Sequence, residues 1–179
     1  MDRASGGTPQ SRLQTGIEPL HERVDPPRSS PQALENSGFA LSDSGILFSG
    51  DHVMGWSTSV ISPPDGDMTA YLASLDKCLG RDDAVYWPTH GPAITEPQTH
   101  VRAFIAHRGE RETGVLESLA AGIGDIDKIV ERLYLGLEPG LWRAAGRSVH
   151  AHLIDLVSRG IVASEGPPTL DTRYRLLRS

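Results

Sequence analysis

Two short apolar runs each end in a histidine-bearing turn, and one amphipathic helix pattern lies between them. The first run, Ile46–Ser49, leads into Gly50-Asp51-His52; the second, Ala84–Trp87, leads into Pro88-Thr89-His90-Gly91-Pro92, about 40 residues later. Between them Met68, Tyr71, Leu72, Leu75, Cys78 and Leu79 fall on one helical face. Asp67 stands where an N-cap belongs, and Pro63-Pro64-Asp65-Gly66 breaks the chain just upstream. Gly38–Leu41 precedes the first run across Ser42-Asp43-Ser44-Gly45, a turn-forming cluster, so the two form a hairpin. This order of elements makes residues 38–98 an α/β unit.

Groups just beyond strand ends sit on fixed backbone while their side chains reach solvent, which is where α/β folds collect their chemistry. An Asp there offers oxygen to a cation, and a His offers ring nitrogen. Pro88 and the Gly91-Pro92 pair restrict the backbone around His90 and thereby its direction. Each motif also has an ordinary reading. A strand-end Asp forms turns or caps helices, and a loop His can be merely structural. Their order and spacing together are more specific than either alone.

Charge divides the chain into three. Residues 38–98 hold eight acidic and two basic residues, which equals the net −6 of the whole sequence. Residues 1–37 are rich in Gly, Pro, Ser and Arg, with sparse apolar residues and no sustained period, so they read as a disordered or poorly ordered tail. Residues 99–179 hold eleven basic and ten acidic residues. There Val101, Phe104, Ile105, Leu116 and Leu119 mark a long first helix. Asp125 is placed to cap a second, whose apolar face is Ile126, Ile129, Val130 and Leu133. A third helix runs from about Leu141 to Arg159 and stops at Gly160. Ile161–Ala163 and Tyr174–Leu177 then read as strands around Gly166-Pro167-Pro168. Three helices and a terminal hairpin are the layout of a winged helix.

Several classes are set aside. A single cysteine, Cys78, excludes a disulfide scaffold and a multi-cysteine zinc site, and its place on an apolar helix face makes it a buried small hydrophobe. No run approaches the ~18 apolar residues of a membrane span, and no secretory signal is visible, so a soluble cytoplasmic protein is expected. The overall acidity argues against a basic nucleic-acid protein at the level of the whole chain. Trp56 and Trp87 are expected in core or rim packing, and His100 and His107 on the surface of the first helix.

The run Gly45–Thr58, with Pro63–Gly66 and Pro88–Pro92 after it, resembles the C-terminal half of a metallo-β-lactamase-fold hydrolase. The similarity is to the β-lactamase-like protein 2 type, in which a winged-helix domain follows the hydrolase domain, and it covers about Phe39 to the C-terminus. The resemblance implies half of an αββα sandwich followed by an α+β winged helix. It implies that Asp51 corresponds to the carboxylate bridging two zinc ions and His90 to the last histidine ligand, on the second metal. His52, Trp56 and Thr89 would then line or support the site. The implied chemistry is metal-assisted hydrolysis of an ester, thioester, amide or phosphodiester.

The departures from the family pattern are as informative. Its main signature, His-x-His-x-Asp-His, is missing, and so is the further histidine some twenty residues before the bridging Asp. The one His-x-His, His150-Ala151-His152, lies in the third C-terminal helix, where residues two apart point about 200° apart and cannot share a cation. His21 lies in the polar tail and is not expected to be a ligand. With Asp51 and His90 alone, the chain is expected to be an N-terminally truncated, catalytically impaired form, binding zinc weakly or not at all. Its sheet would lack a partner layer, which a second copy or a completing chain could supply. The substrate, a small molecule or RNA, is not identified. The alternative is a non-catalytic winged-helix module that binds nucleic acid or a protein partner through Arg143, Arg147, Arg159, Arg173, Arg175 and Arg178.

Overall fold

The computed structural model describes residues 17–19, 38–41 and 44–177. A four-stranded sheet has the order β1-β2-β3-β4, with β1 at Ile17–Pro19, β2 at Phe39–Leu41, β3 at Ile46–Gly50 and β4 at Val85–Pro88. β1 and β2, and β2 and β3, pair antiparallel, whereas β3 and β4 pair parallel. Helix α1, Met68–Leu79, makes the crossover that a parallel pair requires. The hairpin, the helix and the second strand therefore stand where the sequence pattern puts them. Strand β1 lies within the segment read as a poorly ordered tail. A three-residue strand leaves no period to detect, and it is held by pairing with β2.

Alternation along the strands decides which face is covered. Leu47 and Tyr86, cross-strand partners, are fully buried, with Ala40 packed beside them. They join Met68, Tyr71, Leu75 and Cys78 of α1 in the first core. Asp67 caps α1, its carboxylate accepting from the Ala70 N–H at 2.8 Å. Burial pushes the Cys78 thiol up, as suits a packing residue. On the opposite face Phe39, Phe48 and Trp87 stand in register across three strands and are 44, 48 and 49% exposed. The sheet therefore covers one face and presents an aromatic row to solvent on the other. The sequence expectation that Trp87 packs in a core or rim is corrected here. Its strand position turns it away from α1.

The second core is closed. Helix α2, Pro97–Ala120, is followed by α3, Ile126–Leu133, and by α4, Trp142–Ser158. Strands β5, Val162–Ser164, and β6, Tyr174–Leu176, form an antiparallel hairpin. Val115, Leu119, Ile129, Val130, Leu153, Leu156, Val162 and Tyr174 pack together. Gly160 at φ +69° turns the chain out of α4. Asp125 does not cap α3 through its side chain; its carboxylate instead lies 3.4 Å from Lys128 Nζ. Helix α2 is shared, since Val101 and Phe104 belong to the first core while Val115 and Leu119 belong to the second. No described helix is long and apolar enough to cross a membrane.

Candidate metal centre

The site begins where β3 and β4 stop. Gly50, at φ +55°, turns the chain out of β3 into Asp51, and the Thr89 N–H donates to the Gly50 carbonyl at 3.2 Å. The Gly55 N–H donates to the His90 carbonyl at 2.8 Å. These bonds tie the two loops together backbone to backbone. The approach is close enough to demand glycine on both sides. A Cβ at Gly55 would lie 2.5 Å from the Pro92 carbonyl oxygen. One at Gly91 would lie 2.8 Å from the Gly55 Cα, and Gly91 also sits at φ +97°. From α2, His100 Nε2 lies 2.8 Å from the Met54 carbonyl and steadies the first loop.

This scaffold brings the two predicted ligands together. His90 Nε2 stands 3.6 Å from Asp51 Oδ1, with both side chains partly open to solvent. Asp51 Oδ1 is itself covered and has no hydrogen-bond partner among the described residues. Two donors bound to one tetrahedral cation at about 2.0–2.1 Å stand about 3.3 Å apart, close to the separation seen here. An unsatisfied carboxylate oxygen facing an imidazole nitrogen at that distance fits a shared divalent cation. Among the described residues no group of three or more His, Cys, Asp and Glu is placed to hold a metal ion. The donor set thus suits one edge of a metal site.

The other candidates fall in different places. Thr89 is exposed at the rim. Trp56 is 71% exposed, and its ring lies parallel to that of His90, with centroids 6.5 Å apart. It stands beside His90 at the rim, the place the resemblance implies for it, and does not pack in a core. His52 is buried, and its ring packs edge-on against Tyr71 at 5.1 Å. The His52 backbone carbonyl accepts from Ser59 Oγ at 3.2 Å and from the Tyr71 hydroxyl at 3.4 Å. Ser59 Oγ also donates to the Asp51 carbonyl. Sequence reasoning missed Ser59 and Tyr71 as supports of the Asp51 turn. A serine in a polar loop carries no signal, and Tyr71 reads as an ordinary core residue of α1.

The remaining histidines are outside this centre. His150 and His152 lie in α4 and are buried more deeply than ordinary helix residues, with His150 Nε2 placed 3.1 Å from the Pro168 carbonyl. Burial, reinforced by the Arg108 charge, pushes the His152 imidazole down to about 3, so it is neutral at ordinary pH. His100 and His107, expected on the surface, are half-buried, because one reaches the Met54 carbonyl and the other lies against Arg111. Burial, and after it the Arg111 charge, holds the His107 imidazole below its ordinary value. His21 and Arg178 lie outside the described residues. Of the arginines proposed for nucleic acid, Arg159 is engaged by Glu112 at 2.6 Å and Asp155 at 3.0 Å.

Comparison with known proteins joins these observations. The family described as the beta-lactamase associated winged helix domain matches residues 126–168. The beta-lactamase-like protein 2 homolog of Drosophila melanogaster is 32% identical over 120 residues, covering 65% of this chain and 39% of that protein. Thioesterase pkgB of Emericella nidulans is 37% identical over 89 residues, covering 49% of this chain and 25% of that protein. The chain thus spans less than half the length of these curated relatives. Among solved structures, a metallo-beta-lactamase family protein from Thermus thermophilus superposes with a TM-score of 0.66 at 22% identity, over 79% of this chain and 45% of its own. A beta-lactamase domain protein from Burkholderia ambifaria gives 0.64 at 25% identity, over 79% and 44%. The chain is a metallo-β-lactamase-fold protein with a C-terminal winged-helix domain.

Proposed function

We propose that this chain carries the second half of a metal-dependent hydrolase site, in which Asp51 and His90 bind one zinc ion together. The observation that supports this most is the covered Asp51 Oδ1, without a hydrogen-bond partner among the described residues, standing 3.6 Å from His90 Nε2. Asp51 would bind through that oxygen and His90 through Nε2. A bound divalent cation supplies Lewis acidity, lowering the pKa of water and polarising a carbonyl or phosphoryl group. The chain's own residues set the geometry. The Gly55–His90 bond and the Gly55–Gly91 contact fix the distance between the ligand-bearing loops, and the Trp56 ring limits how substrate approaches His90. The bond cleaved is assigned to the ester class, with thioester favoured because one relative is named a thioesterase.

On this reading the chain by itself is catalytically impaired. Zinc sites use three or four protein ligands, and the sequence lacks the His-x-His-x-Asp-His signature. The remaining ligands would have to come from a segment or chain that carries that signature. Titration of the purified chain with zinc tests the first claim. Weak binding, reduced about tenfold or more in both Asp51→Asn and His90→Ala, is expected. Equal affinity in wild type and both variants would remove Asp51 and His90 as the site. Hydrolysis of thioester and phosphodiester reporters tests the second claim. Little turnover is expected, and robust turnover at one or two equivalents of zinc would overturn the impairment.

A further inference from the structure

One buried cation lies where the two cores meet. Arg108 is on α2 between the residues that serve the first core and those that serve the second, and only 3% of it is exposed. No described carboxylate forms an ion pair with it. Its Nη2 donates to the Ser59 carbonyl, and its Nη1 lies 3.4 Å from Ser148 Oγ on α4. Its guanidinium carbon lies 5.3 Å from the centre of the Tyr71 ring, and its Nε has no hydrogen-bond partner among the described residues. Burying a guanidinium against neutral groups alone is costly, and an apolar side chain would fill the same space more cheaply. The arrangement therefore calls for a reason beyond filling space.

The groups that Arg108 touches supply one. Ser59 and Tyr71 both donate from their side chains to the backbone of the Asp51–His52 turn. Arg108 engages both, taking the carbonyl of the first and the ring of the second, and it also hydrogen-bonds the winged-helix domain through Ser148. Both side chains that steady the Asp51 backbone from below are thus held by one residue, which is also tied to α4. We propose that Arg108 is a positioning residue for the Asp51 turn and that through it the winged-helix domain sets how that turn stands. Arg108 touches no candidate ligand and acts through Ser59 and Tyr71. A second tie also joins α1 to α4, where Thr69 Oγ1 donates to Asp155 at 2.5 Å.

The zinc arm of the test rests on the proposed function, whereas the backbone arm does not. Full-length chains carrying Arg108→Met, Arg108→Lys, Ser59→Ala and the double change Ser59→Ala with Arg108→Met are compared. Amide hydrogen exchange is read at His52 and Gly55, which donate to Ser49 and His90. Arg108→Met and Ser59→Ala should each cut protection there by about tenfold, leaving Leu153 in α4 unchanged. The double variant should lose little more than the worse single one, because both lie on one relay. Lysine, which still reaches the Ser59 carbonyl, should restore most of the protection. Zinc affinity should fall in parallel, by about tenfold. If wild type binds no zinc at Asp51 and His90 but protection falls as stated, the metal reading fails and the positioning role stands. Unchanged protection at His52 and Gly55, or losses that add and spread evenly through the chain, would overturn it. Should Arg108→Met fail to fold, Arg108→Lys on the Ser59→Ala background decides, and a further loss there would also overturn the relay.

Discussion

The two cores of this chain are built from similar amounts of apolar side chain, yet one is closed and the other is open. In the winged-helix domain the hairpin β5–β6 and three helices enclose Leu153, Leu156, Val162 and Tyr174 on all sides. In the α/β unit the sheet packs on α1 and α2 through a single face, while Phe39, Phe48 and Trp87 face water in a row on the other. The difference is one of layers. A helical bundle with a wing satisfies its apolar stripes internally, whereas a sheet has two faces and needs a layer on each. The candidate metal centre belongs to the open unit, at the ends of the two strands whose outer residues, Phe48 and Trp87, stay about half exposed. Such a unit would be fragile alone. Helix α2 runs through both cores and lends the stable one to the other.

Removing one side chain from each core tests that lending most severely. Leu75 and Leu153 are both fully buried, one on α1 and one on α4. Leu75→Ala and Leu153→Ala should each cost about 3–5 kcal/mol in denaturant unfolding. If α2 couples the cores, each variant shows one transition shifted as a whole. Two separated transitions, with Leu75→Ala moving only the first, would show that the cores unfold independently.

Acid sharpens the comparison from the closed side. His152, in α4 beside Arg108, has its imidazole pushed down from the ordinary 6.5 to about 3, first by burial and then by the Arg108 charge. The unfolded chain takes up the proton at higher pH than the folded one. Stability from this group is therefore complete above pH 6.5 and is lost as the pH falls toward 3. Between pH 8 and pH 4 the loss should be roughly 3 kcal/mol at 1.36 kcal/mol per pH unit. His152→Gln should flatten the stability profile in that window. An unchanged acid slope in the variant would move the acid sensitivity to other groups.

Much of this was legible in the sequence, and the limits have physical causes. The α1 face, its Asp67 cap, the Gly160 stop and the strand-end positions of Asp51 and His90 all depend on local periodicity or on residues with strong turn chemistry. What escaped depends on contacts between distant segments. Ser59 and Arg108 are 49 residues apart, and neither stands in a motif. Trp56 and Trp87 were expected to pack because Trp usually does, but period-two alternation turns Trp87 outward and a tight loop leaves Trp56 beside His90. The burial of His150 and His152 is not legible either, since the sequence does not tell which helix is packed on most of its sides.

Within the open unit, the loops that carry Asp51 and His90 interlock through Gly55 and Gly91. Gly91→Ala should cost about 2 kcal/mol, because φ is +97° there and the added Cβ meets the Gly55 Cα at 2.8 Å. The effect should be local. Signals of Asp51, Gly55 and His90 should shift in NMR spectra while those of Leu156 and Tyr174 stay in place, and zinc affinity should fall further than stability does. A uniform loss of stability with no shift at Asp51 would mean that the interlock does not set the ligand separation.

The smallest effect on stability should come from the bare face itself, and it separates an open sheet from a covered one. Phe48 is central in the aromatic row, with Phe39 on one side and Trp87 on the other. A side chain that is 48% exposed has about half its surface to lose, so Phe48→Thr should lower the folding free energy of dilute chain by only about 1 kcal/mol. Threonine keeps the β preference while removing the ring. Concentration is the variable that matters. If the row associates with another copy or with another apolar surface, wild type should gain mass with concentration in light scattering, and Phe48→Thr should not. The variant's unfolding midpoint should then be independent of concentration while that of wild type rises. A loss of 2 kcal/mol or more in dilute chain would instead mean that Phe48 is already packed within one molecule, and the contrast between a closed and an open core would not hold.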